Sequence, residues 1–301
     1  MSAVGSPADE KVAVARGFVL GRRPSPGWIG VAPFLCFVAL FLIWPAGDVL
    51  VGAFRGDAGG FTVHGIGELF RPEYRRAYQL SIELSLLTAA LGAVLGGLFA
   101  WAAVRDGTPR LIRASVTAFS GVAANFGGIP LAFAFIATLG TTGLVTRWLG
   151  DGGIDLYAHG FSLFGFWGLA VVYLYFQVPL MLLVIAPALD GLRREWREAA
   201  ESLGAPNWRY WLHVGLPVLA PSFLGAFLLL FGNAFSAYAT AYALSGQSLS
   251  LVPLEIGEVL NGNTFSDPHL GQALALGMVV VMAITTAFYV LLMRRVSRWT
   301  R

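Results

Sequence analysis

The sequence predicts an all-α integral membrane protein with six transmembrane helices, and its composition and the lengths of its apolar segments indicate this. Of the 301 residues, 56% are hydrophobic and only 12% are charged, which is about half the charged share of an average soluble domain. Backbone polar groups inside hydrocarbon must be paired within their own segment, so we expect helices. Six apolar stretches reach the roughly 20 residues that a spanning helix needs, at 28–54, 80–104, 115–139, 162–189, 218–244 and 270–293.

The apolar segments divide the chain into three parts. Residues 1–27 are polar and contain glycine and proline, and we interpret them as a cytoplasmic N-terminal tail. The apolar run that follows is longer than the core of a secretory signal, so residues 28–54 are predicted to be the first transmembrane helix. Its only cysteine, Cys36, is expected to be a small buried hydrophobe. Residues 75–295 are predicted to form a core of five further transmembrane helices.

Basic residues predict the orientation of these helices. Most of the 20 Lys and Arg residues lie in the tail, in the loops after the second and fourth stretches, and at the C-terminus. Cytoplasmic loops carry the excess of basic residues, so both termini and the loop at 190–217 are expected to face the cytoplasm. The formal net charge of +3 is explained by this topology, and we expect contact with membrane lipid and none with nucleic acid.

Three glycines in the second stretch indicate close helix packing. Gly92, Gly96 and Gly97 fall within six consecutive residues near its middle. Small residues let membrane helices approach one another closely. We therefore expect this helix to pack closely against a neighbour; the alternative, which is compatible with it, is that such interruptions are kinks that let a pore open and close.

The loop at 190–217 has the pattern of two short helices joined by a sharp turn. Glu195 to Leu203 contains good helix formers and no β-branched residue. Gly204 stands where a left-handed residue would end that helix, and Pro206 suits the start of the next one. An apolar face then appears at the spacing i, i+3, i+4, formed by Trp208, Trp211 and Leu212.

This loop resembles the EAA loop of binding-protein-dependent ABC transporter permeases. The family pattern is Glu-Ala-Ala, three residues, Gly, nine residues, Ile, one residue, Leu-Pro. The matching residues here are Glu198, Ala199, Ala200, Gly204, Val214, Leu216 and Pro217. Val214 in place of Ile is the one departure, and the two side chains differ by a single methylene group.

The resemblance implies a type I importer permease fold in a bacterial inner membrane. Such a subunit forms half of the translocation pore for a small solute delivered by an extracellular or periplasmic binding protein. The EAA residues would couple the permease to a separate ABC ATPase dimer. A second permease subunit, a different chain, is the expected partner across the pore.

No residue is assigned a catalytic role. A phosphate-binding loop needs a Gly-Lys-[Ser/Thr] sequence, whereas the sole lysine, Lys11, stands between Glu10 and Val12. ATP and Mg²⁺ are therefore expected on the partner ATPase. The four histidines, at 64, 159, 213 and 269, show no metal-ligand spacing, so this chain is expected to carry no cofactor and no metal.

Polar residues within the spans are candidates for the solute path. Such side chains either hydrogen-bond to another helix or line a pore. They are Asn125, Gln177, Asn233, Ser236, Tyr238 and Thr240, and all but Thr240 are assigned to the candidate path.

The solute itself is predicted only by a looser likeness. From Ala243 onward the sequence is similar to the polyamine, iron, thiamine and aminoethylphosphonate branch of the family. This favours a polyamine or another small charged or polar solute. The alternatives are a sugar-type ABC permease and an ion-coupled secondary transporter, the latter disfavoured because no carboxylate is central in a span.

Overall fold

A computed structural model describes residues 27–55, 60–105, 108–158, 160–246, 248–260 and 268–296. The predicted tail, Lys11 and His159 therefore lie outside the described residues, except for Gly27. Contacts divide the chain into two units, residues 1–48 and 49–301. Six helices are long and apolar enough to cross a membrane, which confirms the predicted all-α fold: Gly30–Gly52, Pro72–Val104, Gly128–Asp151, Phe166–Asp190, Asn207–Phe235 and His269–Arg294.

The first unit contains α1 (Gly27–Val38), a π-helical turn (Ala39–Ile43) and the beginning of α2 (Trp44–Gly52). The N–H of Trp44 bonds to the carbonyl of Ala39, five residues back, immediately before Pro45. The wider turn accommodates a proline that has no N–H and whose ring would crowd an α-helical carbonyl. Large apolar side chains are exposed along this segment, as expected for a helix in lipid. Cys36 is exposed as well, so the expected burial was wrong.

The second unit contains the remaining helices. Its short helices include α3 (His64–Glu68), α7 (Leu144–Asp151) and α13 (Val252–Leu260). Its other helices are α4 (Pro72–Val104), α5 (Arg110–Asn125), α6 (Gly128–Leu139), α8 (Phe166–Asp190), α9 (Arg194–Ser202), α10 (Asn207–Tyr210), α11 (Leu216–Phe235), α12 (Tyr238–Ser245) and α14 (Pro268–Val296). A second π-helical turn, Trp211–Gly215, joins α10 to α11.

Helix α8 is the centre of the second unit, and α4, α5 and α11 pack against it. A Cβ atom at Gly92 would lie 2.8 Å from the Cβ of Gln177, and one at Gly96 would lie 2.5 Å from the carbonyl oxygen of Val178. Any side chain at either glycine would push α4 away from α8. The close packing that the glycines predicted is confirmed, and Tyr173 and Met181 of α8 are fully buried beside it.

The third span differs from the predicted helix at 115–139. Helix α5 ends at Asn125, and α6 begins at Gly128, whose φ of +71° interrupts the helical path. Pro130 then falls in the first turn of α6, where its missing N–H costs nothing. The segment that is long and apolar enough to span is instead Gly128–Asp151.

The fifth span begins earlier and ends earlier than the predicted 218–244. Its helical segment runs from Asn207 to Phe235. The π-helical turn before Pro217 accommodates this proline within the helix, as the first π-helical turn does for Pro45. The helix then breaks at Ser236 and Ala237, where Ala237 has φ −75° and ψ 87°. No glycine or proline lies at this break, so the apolar sequence pattern continues across it and predicted one uninterrupted helix.

We predict that Gly96→Ala lowers the thermal unfolding temperature of the purified protein in detergent. The added methyl group would meet the backbone of α8, and overpacking of this kind costs about 1–3 kcal/mol, partly offset by the better helix propensity of alanine. The matched control is Gly97→Ala, because its Cβ would lie 3.5 Å from Phe223, an ordinary contact. Equal unfolding temperatures for the two variants would show that α4 and α8 are not closely packed.

Candidate coupling segment and solute path

The turn after α9 is a complete Schellman motif. Gly204 has φ +71°, a conformation that glycine adopts without steric cost. The N–H of Ala205 donates to the carbonyl of Ala200 (2.9 Å), and the N–H of Gly204 donates to the carbonyl of Glu201 (2.9 Å). These two bonds pair the last carbonyls of the helix and fix the direction of the chain that follows. The elbow that the sequence predicted at Gly204 is confirmed.

The EAA residues lie on the surface of this elbow. Glu198 and Ala199 are exposed and Ala200 is half-buried. Leu203, which sequence reasoning did not select, is 86% exposed at the tip. Gly204 has open space around it, since an added Cβ would meet nothing within 4 Å. The segment therefore presents one apolar side chain, two small ones and a carboxylate on a protruding corner.

The Glu198 carboxylate already has a partner within its own helix. Arg194 Nε donates to Glu198 Oε1 at 3.0 Å, and the hydroxyl of Ser202 donates to the Glu198 carbonyl. The i, i+4 spacing of Arg194 and Glu198 could have predicted the pair. Both side chains are more than half exposed, and the Arg-before-Glu order is the weaker one in a helix. Such a pair contributes little stability and can be exchanged for another partner.

The remaining EAA positions lie where the elbow joins the fifth span. Val214 is in the π-helical turn, and Leu216 and Pro217 begin α11. The N–H of Leu216 bonds to the carbonyl of Trp211, five residues back. No irregular loop separates α10 from α11, so the second half of the predicted 190–217 loop is part of the spanning helix.

Two helix breaks face each other in the second unit. The backbone N–H of Gly128, at the start of α6, donates to the hydroxyl oxygen of Thr240 on α12 (2.8 Å). The hydroxyl of Tyr173 on α8 donates to the carbonyl of Ala237, between α11 and α12 (2.9 Å). Each interruption thus leaves a backbone group that a side chain of another helix satisfies, as a membrane interior requires.

The polar candidates for the solute path differ in their burial. Gln177 is fully buried and donates to the hydroxyl of Thr88 on α4 (3.1 Å), so it takes the helix-packing role. Tyr238 is half-buried and stacks on Tyr242. The exposed candidates flank the two breaks and are Asn125, Asn233 and Ser236. The side chains of Asn125 and Ser236 each donate to a carbonyl of the preceding helical turn.

Comparison with known proteins identifies the family. The family model described as "Binding-protein-dependent transport system inner membrane component" matches residues 153–301, which include the elbow, both halves of the broken fifth span and α14. This chain is a permease of the binding-protein-dependent ABC importers. The permease is thus a multi-pass membrane component of a transport system and not an enzyme.

Curated relatives share this assignment at low identity. The permease is 24% identical to the sulfate transport system permease protein CysT of Escherichia coli (strain K12) over 231 residues, 76% of this chain and 78% of that one. It is 26% identical to the spermidine/putrescine transport system permease protein PotC homolog of Mycoplasma pneumoniae over 135 residues, 45% of each chain.

A solved structure shows the same fold. The permease matches a chain of a bacterial ABC transporter involved in the import of the acidic polysaccharide alginate with a TM-score of 0.72. The match covers 89% of this chain and 94% of that chain at 18% identity. Membership in the family implies two kinds of partner, an ATPase and a solute-binding protein.

We predict that Thr240→Val lowers the unfolding temperature of the permease. Valine keeps the shape of threonine but cannot accept the Gly128 N–H, and an unsatisfied buried donor costs about 1–3 kcal/mol. The control is Thr138→Val, because the Thr138 hydroxyl bonds to the Ala134 carbonyl within its own helix. An unfolding temperature for Thr240→Val equal to that of the control would mean that the breaks are not joined through this bond.

Proposed function

We propose that this permease forms half of the translocation pore of an ATP-driven importer and that its elbow seats in a separate ATPase dimer. The observation that carries the proposal is the protruding corner at Leu203 and Gly204, which continues into a spanning helix from Asn207 to Phe235. A rigid connection of this kind would transmit a movement of the ATPase to the interior of the membrane. ATP and Mg²⁺ would be bound by the ATPase and not by this chain.

The coupling contact is proposed to involve Glu198, Ala199, Ala200 and Gly204. The two alanines make a narrow face that can approach a groove closely. A basic side chain of the ATPase could replace Arg194 as the partner of Glu198, because the exposed intrahelical pair costs little to break. Val214, Leu216 and Pro217 would act at the base of the elbow by keeping it continuous with α11.

The solute path is proposed to pass the paired helix breaks. Asn125, Asn233 and Ser236 are exposed there, and a second permease subunit, a different chain, would face them. Their amide and hydroxyl groups suit a small charged or polar solute. The relatives named for sulfate and for spermidine and putrescine agree with that class. A sugar-type solute has the weaker support of a shared fold with the alginate transporter.

The elbow is proposed to lie in the cytoplasm of a bacterium, with the spans in its inner membrane. The loops after the second and fourth spans bring their arginines to the same end of the second unit, where Arg105 and Arg193 line one cavity. Concentration of basic charge at one end is the signature of the cytoplasmic side. Both chain termini would then also be cytoplasmic. The family favours this ATP-driven arrangement over the ion-coupled carrier.

We predict that Glu198→Arg reduces recovery of the ATPase with the tagged permease about tenfold in mild detergent. The new charge would repel Arg194 and any basic partner on the ATPase, and loss of one desolvated charge pair suffices for a tenfold change. Quantitative immunoblotting of the co-purified ATPase, together with ATPase activity stimulated by the solute-binding protein, measures the result.

The control for this variant is Glu195→Arg, the same charge reversal one turn earlier in α9 and outside the EAA pattern. It should leave recovery of the ATPase close to that of the wild type. Equal losses for the two variants would indicate a general charge effect and contradict the proposed contact.

We predict that a cysteine at the elbow is labelled only from the cytoplasmic side. Leu203→Cys in a Cys36→Ala background leaves a single exposed thiol. A membrane-impermeant maleimide should modify it in inside-out vesicles and not in intact spheroplasts. Ile154→Cys, in the loop after α7, is the control and should show the reverse pattern. Labelling of position 203 in spheroplasts would overturn both the orientation and the coupling role.

A further inference from the structure

A small cationic cavity lies beside the base of the elbow. Its volume is about 120 Å³, and it is bordered by the ends of α4 and α8, the start of α9 and the turn after α10. Among the described residues that line it none is acidic, and four are arginines: Arg105, Arg193, Arg194 and Arg197. Guanidinium groups keep their charge at any physiological pH and bind phosphate through paired N–H donors.

The ring contacts of Arg105 and Arg193 supply no negative charge to the cavity. Arg105 stacks over the ring of Trp101 at 5.5 Å, and Arg193 stacks over Trp196 at 6.0 Å. A tryptophan ring attracts a cation without carrying net charge, so both guanidinium groups keep a full positive charge that an anion can bind. Arg194 shares its charge with Glu198 in an exposed pair. The cavity therefore has the electrostatic character of an anion site.

An apolar groove continues from the cavity along the membrane-spanning helices. It measures about 720 Å³ and runs between α4, α8 and α11, where Leu98, Ile185, Ala220 and Phe223 are among its walls. Trp101, Leu189 and Trp211 line both the groove and the cavity. The two tryptophan rings meet edge to face at 6.4 Å, and tryptophan is typical of the membrane–water boundary.

We propose that the cavity and the groove together bind one anionic glycerophospholipid, with its phosphate among the arginines and an acyl chain in the groove. Each half of the site would be incomplete for another occupant. A soluble anion would leave the groove unfilled, and an apolar helix would supply no counter-charge to Arg105 and Arg193. Basic pockets between spanning helices are the known recognition mode for acidic lipid headgroups. This site goes beyond the transport function and does not depend on it.

The first test measures retention of phosphatidylglycerol. The full-length chain is purified from membranes with the subunits that accompany it and transferred to nanodiscs of phosphatidylcholine with or without phosphatidylglycerol. We expect native mass spectrometry to show one retained phosphatidylglycerol and scanning fluorimetry to show a higher unfolding temperature with it. Equal retention of the two lipids, or equal stabilisation by inorganic phosphate alone, would overturn the proposal.

Matched arginine variants locate the headgroup. The double variant Arg105→Gln with Arg193→Gln should retain about tenfold less phosphatidylglycerol, because it removes two charged donors from the cavity. The control, Arg110→Gln with Arg209→Gln, removes the same charge from residues that do not line the cavity. Equal losses in both would mean diffuse attraction and overturn the assignment. Both variants should unfold at the wild-type temperature in phosphatidylcholine alone.

Crosslinking from the groove identifies its occupant even if an arginine variant fails to fold. Leu98 is 58% exposed on the groove wall, so a photoreactive benzophenone amino acid in its place should leave the fold intact. Irradiation in native membranes should give a phospholipid adduct, enriched in phosphatidylglycerol. A crosslink to another protein chain would show that a subunit fills the groove and would overturn the proposal.

Discussion

The structure depends on one constraint of the bilayer, which is that an interrupted helix must find partners for the backbone groups it exposes. The permease interrupts two helices at the same place. The hydroxyl of Thr240 accepts the N–H of Gly128, and Tyr173 donates to the carbonyl of Ala237. The side chains that satisfy each break belong to other helices, and Tyr173 joins the break at Ala237 to the α4–α8–α11 packing. Irregular backbone at membrane depth is tolerated only when it is covered in this way or lines a cavity.

The close approach of α4 and α8 makes this arrangement possible. Gly92 and Gly96 bring the two helices together, and Gln177 lies within hydrogen-bonding distance of Thr88 as a result. The same packing places Tyr173 at the break in the fifth span. The side chains on one side of α8 thus pack against and bond to neighbouring helices. Asn125, Asn233 and Ser236 on other helices are exposed. The packed helices thus form a rigid support, and the exposed polar side chains lie beside it.

Local signals predicted much of the fold, and interactions between distant residues account for what they missed. The lengths of the apolar segments predicted six spans, and Gly204 followed by Pro206 predicted the elbow. The break at Ala237 has no glycine or proline, and the bonds that satisfy the two breaks join residues 64 and 112 positions apart in sequence. The continuous helix through Pro217 was missed because a π-helical turn leaves no recognised pattern. The arginine cavity was missed because counting charge by membrane side does not show which side chains converge.

The unbroken helix from Asn207 to Phe235 has a mechanical consequence. Its 29 residues measure about 43 Å at about 1.5 Å per residue, which exceeds the roughly 30 Å thickness of the hydrocarbon core. Its one π-helical turn, Trp211–Gly215, lies near its N-terminal end and not in its middle. A displacement applied at the Asn207 end would therefore reach Ser236 with little loss. The chain would bend in response at Ser236 and Ala237, the two non-helical residues at the other end.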